Sequence, residues 1–119
     1  MTPKRYCPIR RFAAVTLVGL GLGTPAAALA AGNVKAGIEK VRLCEACHGL
    51  DGRSKVPEAP NLSGQVENYL VEQLRAFKAG TRRNEMMSVV VQGLSPQDID
   101  DLAAYFSSIE VTVGAPPRR

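Results

Sequence analysis

Two cysteines three positions apart, followed at once by the only histidine of the chain, constrain this sequence more than any other feature: Cys44-Glu45-Ala46-Cys47-His48. A C-x-x-C-H run gathers two thiols and an imidazole on one turn of backbone, which narrows the chemistry to metal binding, thiol redox exchange or covalent attachment of a group. The remaining cysteine, Cys7, lies far upstream in a segment of different character.

That upstream segment has the layout of an export signal. Lys4, Arg5, Arg10 and Arg11 form a positive region, Phe12 to Gly23 an apolar one, and Ala28-Leu29-Ala30 a small-residue cleavage site. Residues 1–30 are therefore expected to be a signal peptide, with the mature chain starting at Ala31. An uncleaved anchor would have the length to span a bilayer, but Pro25 and the cleavage site argue against it. Cys7 precedes the apolar run, where a lipidated cysteine would not stand. The four cations of this segment account for the whole excess of fifteen basic over eleven acidic residues. The mature chain is then neutral, and no basic run with interleaved aromatics points to nucleic acid. No stable membrane insertion is expected after cleavage.

The three candidate chemistries can be separated. A structural zinc site needs four ligands, and no second Cys or His pair exists to complete one. A thioredoxin-like dithiol expects the motif beside a strand and helix of an alternating pattern, and no strand pattern flanks it. Haem attachment needs only what is present. Two thiols on one turn add to the two vinyl groups of one porphyrin edge, and the next residue, His48, presents its imidazole to the iron. In an exported chain this is the expected reading, with one haem c for the one motif.

Periodicity organises the rest as helices. Val34, Ile38 and Val41 fall at i, i+4 and i+7, an amphipathic helix entering the motif with Gly37 on or near its buried side. Glycine weakens a helix, and close approach to another helix, here the C-terminal one, would compensate. Leu50 to Gly64, rich in Gly, Pro, Ser and Asp, is expected to be a loop. Val66, Leu70, Leu74 and Phe77 mark a second helix stopped by Gly80. A third starts at Ser95 as N-cap, with Pro96 at its first position and Asp98 three after the cap, and buries Ile99, Leu102, Ala103, Phe106 and Ile109. Val111 to Arg119 reads as a flexible tail. Three helices make a small core, and a domain of this size usually needs a staple, metal or cofactor; a covalent haem fills that need. The iron's other face can take Met, His or nothing. With no second histidine, the candidates are the adjacent Met86 and Met87.

Taken together these residues resemble the class I c-type cytochromes over nearly the whole mature chain. The shared pattern is a helix with Gly37 and Val41, then Cys44 to Gly49, Pro60-Asn61-Leu62, and a Met before a C-terminal helix. Leu62-Ser63-Gly64-Gln65, Tyr69-Leu70, Phe77-Lys78-Ala79-Gly80, Leu94-Ser95 and Leu102-Ala103-Ala104-Tyr105 are similar to the small bacterial periplasmic monohaem branch and to single-haem halves of dihaem periplasmic cytochromes c. The resemblance implies an all-α class I cytochrome c fold, with three main helices packed around one covalently bound haem in residues 31–110 and residues 111–119 as the tail. It assigns Met87, seven residues before Leu94, as the sixth ligand beside His48. It also implies that the Pro60 carbonyl accepts from the ring of His48, that Leu62 packs on the haem, and that Gln65, Tyr69 and Arg82 or Arg83 are candidate propionate partners.

The expected function is a periplasmic one-electron carrier between redox partner proteins, membrane-bound or periplasmic. It is not itself an enzyme, because no Ser-His or Cys-His pair or acid cluster is left over. Two alternatives remain at this stage. One is the cytochrome subunit of a periplasmic oxidoreductase, such as a flavocytochrome sulfide dehydrogenase. The other is a five-coordinate haem sensor.

Overall fold

The computed structural model describes residues 31–117, which fold as helices and connecting turns, with no strand among them. The reading of residues 1–30 as a signal lies outside this range. No helix among the described residues is long and apolar enough to cross a membrane.

The first helical stretch is almost continuous. Helix α1 spans Val34–Lys40 and α2 spans Arg42–His48, joined at Val41, whose backbone stays in the right-handed region. The join is a local tightening, with the Cys44 N–H donating to the Val41 carbonyl three residues back. Asn33 caps α1 by accepting from the Ala36 N–H. Helix α3 spans Glu67–Lys78 and is followed by Gly80 at φ 74°, the left-handed conformation glycine adopts past a helix end. Helix α4, Met87–Val90, runs into a 3₁₀ turn, Val91–Gly93. Helix α5, Pro96–Ser107, opens with a capping box: Ser95 accepts from the Asp98 N–H, and the Asp98 carboxylate accepts from the Ser95 N–H.

The core joins α1, α3, the α4 turn and α5 through Val41, Leu70, Phe77, Val91, Leu94, Ile99, Leu102, Ala103 and Phe106. The pivotal crossing is α1 on α5. A Cβ on Gly37 would stand 2.7 Å from Tyr105 Cβ and closer still to the Asp101 carbonyl oxygen, so only glycine lets the two backbones approach this far. Polar contacts then lock the crossing. Asp101, 2% exposed, accepts from the Asn33 backbone N–H at 2.8 Å, from Lys40 Nζ at 2.6 Å and from the Gln97 side chain at 2.9 Å. Burial alone would push its carboxyl up; the hydrogen bonds from Lys40, Gln97 and Asn33 more than offset this and hold it below the usual carboxylate range.

Four expectations are corrected. Val34 and Ile38 are exposed, because the face that meets α5 is the stripe Gly37–Val41, one position round from them. Val66 is the exposed N-cap of α3 and not part of its stripe. Ile109 packs on the core from beyond the end of α5. The short α4 was not expected at all, so the three main helices are supplemented by a fourth, four-residue one that begins at Met87.

Candidate functional site

Helix α2 delivers the motif. Cys44 and Cys47 are half-buried on it, both as free thiols, and His48 closes it, 6% exposed. The chain then turns through Gly49 at φ 72°, where the Gly49 N–H still donates to the Glu45 carbonyl. Any side chain there would meet Asp51, Lys55 and the Arg53 carbonyl. Burial pushes the Cys44 thiol up to about 11, with the charge of Cys47 adding to the effect. A thiol held protonated in this way is a poor redox nucleophile, which speaks against the dithiol reading. Among the described residues no group of three or more His, Cys, Asp or Glu side chains is placed to hold a metal ion, so the zinc ligand set is not assembled either.

The loop that follows, residues 49–66, has no regular helix but is tied at many points. The Lys55 N–H donates to the Cys47 carbonyl at 2.8 Å, the Leu62 N–H to the Gly52 carbonyl at 2.7 Å, and the Ser54 N–H to Asn61 Oδ1 at 2.8 Å. Tyr105 on α5 donates its hydroxyl to the Leu50 carbonyl at 2.6 Å, and the Gly64 N–H reaches the Phe106 carbonyl. These bonds carry Pro60 back over the motif. Its carbonyl oxygen lies 2.9 Å from His48 Nδ1, and among the described residues the other ring nitrogen, Nε2, has no hydrogen-bond partner.

Three of the expected site residues come from separate elements and each packs on the core. Cys44 from α2, Leu62 from the loop and Met87 from α4 all pack, partly buried, against the same apolar core. Met86 is 65% exposed. The residues present fit a haem by the chemistry of their donors: two free thiols on one helix, an imidazole with one nitrogen anchored, and a thioether beside apolar surface. The Gln65 side chain accepts from the adjacent Val66 N–H, Tyr69 is exposed, and Arg82 donates to Gln73 at 2.6 Å with its guanidinium 4.5 Å from the centre of the Phe77 ring.

Sequence reasoning missed the groups that hold α4. Asn84 Oδ1 accepts from the N–H of Met86 at 3.1 Å and of Met87 at 3.0 Å. Lys78 donates to three carbonyls at the far end of the segment. The spacing of Asn84 three before Met87 is an N-cap signal that could have been read; nothing in the sequence marks Lys78.

Comparison with known proteins bears on the same residues. The family model described as Cytochrome c matches residues 35–110. The chain is similar to cytochrome c4 of Stutzerimonas stutzeri, 45% identical over 104 residues that cover 80% of this chain and 50% of that one. It is similar to cytochrome c-554(548) of Halomonas halodenitrificans, 45% identical over 83 residues that cover 67% of this chain and 100% of the other. Among solved structures it resembles reduced recombinant cytochrome c4 from Pseudomonas stutzeri, with a TM-score of 0.65 and 45% identity over 71% of this chain and 49% of that one. The chain thus spans about half the length of the cytochromes c4 it matches.

Proposed function

Because the chain belongs to the cytochrome c family, we propose that it holds one covalent haem c and passes single electrons between redox partner proteins in the periplasm. Bound there, the haem supplies an iron that changes oxidation state by one electron. The observation that carries the reading is the state of His48, which is buried at the end of the motif with Nδ1 against the Pro60 carbonyl at 2.9 Å. A hydrogen bond from Nδ1–H to that carbonyl fixes the tautomer and the ring plane and leaves Nε2 as the nitrogen that would ligate the iron.

The other residues follow from their chemistry. Cys44 and Cys47 would carry the two thioether bonds, and Leu62 gives the loop an apolar side chain on the same core. Met87 would be the sixth ligand: it packs inward while Met86 is exposed, and adjacent residues cannot both face the same point. A thioether there raises the reduction potential relative to a second imidazole. Were His48 and Met87 both to hold the iron, no position would be open there for a substrate, which favours a carrier over a sensor.

The test is the exported protein made with haem-attachment machinery. Its intact mass should equal the chain from Ala31 plus one haem, and a potentiometric titration should follow a reversible one-electron curve. A mass without haem, or with zinc in its place, overturns the proposal. Purification without a larger subunit is expected of a free carrier; co-purification with a flavoprotein would make it an oxidoreductase subunit.

A further inference from the structure

Met87 stands at the head of the helical segment Met87–Gly93, formed by α4 and its 3₁₀ turn. A helix so short is not held by its own hydrogen bonds. Its front end is capped by Asn84, as described above. Its far end is held from another helix: Lys78, the last residue of α3, donates from Nζ to the carbonyls of Leu94 at 2.6 Å, Gln92 at 2.9 Å and Val91 at 3.4 Å. Gln92 reciprocates, its side-chain amide donating to the Lys78 carbonyl at 3.4 Å and to the Ser88 carbonyl at 3.1 Å.

An ammonium has three N–H donors and no acceptor, so these carbonyls take up the whole of it. The Val91 carbonyl also accepts from the Leu94 N–H; those of Gln92 and Leu94 are carbonyls that the end of a helix leaves without backbone partners, and a cation is favoured there by the helix dipole. Phe77, adjacent to Lys78, and Val91 both belong to the core, Val91 with 0% exposure. The staple therefore joins α3 to the Met87 segment where both are already anchored.

We propose that Lys78 is a positioning residue for Met87: its ammonium fastens the segment that begins with Met87 to α3 and so keeps the thioether at the iron in competition with other ligands. The inference rests on the reading of Met87 as sixth ligand. It predicts that loss of the ammonium leaves the motif, the loop and α5 in place and weakens the hold on Met87 selectively.

The experiment is displacement of Met87 by imidazole in the oxidised, haem-loaded protein, followed by loss of the far-red sulfur-to-iron band. Lys78→Met keeps the aliphatic stem and removes the donors; it should bind imidazole about tenfold more tightly than wild type, the factor expected for losing a charge-assisted hydrogen bond. Lys78→Arg should recover most of the difference. Gln92→Leu, which leaves α3 untouched, should shift the affinity the same way by a smaller factor and serves if Lys78→Met does not fold. Arg75→Met, on the same helix, removes the cation paired with Asp100 at 2.8 Å. It should lower the melting temperature without tightening imidazole binding. Unchanged affinity in Lys78→Met and Gln92→Leu, or equal tightening in Arg75→Met, overturns the inference. A wild-type protein without the far-red band, or a Met87→Ala variant that keeps it, overturns the ligand reading instead, and the inference with it.

Discussion

Replacing Gly37 with alanine tests how the α1–α5 crossing is built. In a solvent-exposed helix the change would stabilise by about 1 kcal/mol, the ordinary propensity difference. Here the added Cβ would stand 2.7 Å from Tyr105 Cβ and closer to the Asp101 carbonyl oxygen. A backbone oxygen cannot rotate away, so the helices must separate. That strains the Asp101 bonds to Asn33 and Lys40, which span the crossing at 2.8 and 2.6 Å. Overpacking of this kind costs about 1–3 kcal/mol and more where the obstacle is backbone, so the balance against the propensity gain is a loss of about 2 kcal/mol. For a domain of this size that lowers the melting temperature by about 10 °C. The assay is reversible thermal unfolding of the haem-loaded protein by helical circular dichroism, with Gly93→Ala as control, because nothing lies within 4 Å of a Cβ there. A Gly37→Ala protein that melts with or above wild type would refute the crossing argument.

Three further outcomes are expected. Asp101→Ala strips the buried acceptor from Asn33, Lys40 and Gln97 and should cost about 2–4 kcal/mol in urea unfolding; a loss under about 0.5 kcal/mol would contradict its structural role. Asp98 is held at about 2, first by the hydroxyl of Ser95 and then by Lys40, so its ionised form contributes stability that is fully present above the ordinary carboxylate pKa. Stability should therefore fall as pH drops from about 4 toward 2, more steeply in wild type than in Ser95→Ala, and parallel acid limbs in thermal melts would contradict this. A Cys44→Ala, Cys47→Ala chain made without haem should show weak helicity and little cooperative melting, since a core of this size comes out near zero against ordering entropy; a sharp transition would show that the helices suffice alone.

The parts of the fold that could be read from sequence are those whose signals are local. Ser95, Pro96 and Asp98 announce the start of α5 through groups within one turn of each other, and the motif lies on one turn of α2. Gly37 was readable as a close approach because glycine in an amphipathic helix needs a reason. What was not readable depends on partners far along the chain. Asp101 looks like a solvated acid until Asn33 and Lys40, more than sixty residues away, are seen to satisfy it. Val34 and Ile38 keep helical spacing with Val41, yet the face chosen for burial is the one that lets two backbones meet. Helix α4 is shorter than two turns, too brief for any periodicity, and its anchor Lys78 belongs to another helix. At the site, the motif names Cys44, Cys47 and His48 by itself and the lack of a second histidine points to Met86 or Met87, whereas Pro60, Leu62 and the choice of Met87 come through family resemblance, because the contacts that position them are made only by the folded loop and α4.

A haem held here would have both axial positions filled by this chain, His48 on one side and Met87 on the other. This is tested most directly by the visible spectrum of the exported, purified protein, recorded oxidised and then reduced under carbon monoxide. The oxidised protein should show a weak far-red sulfur-to-iron band, and carbon monoxide should leave the reduced spectrum unchanged. Absence of the band together with a shift of the reduced spectrum under carbon monoxide would show an open coordination position and contradict this ligation.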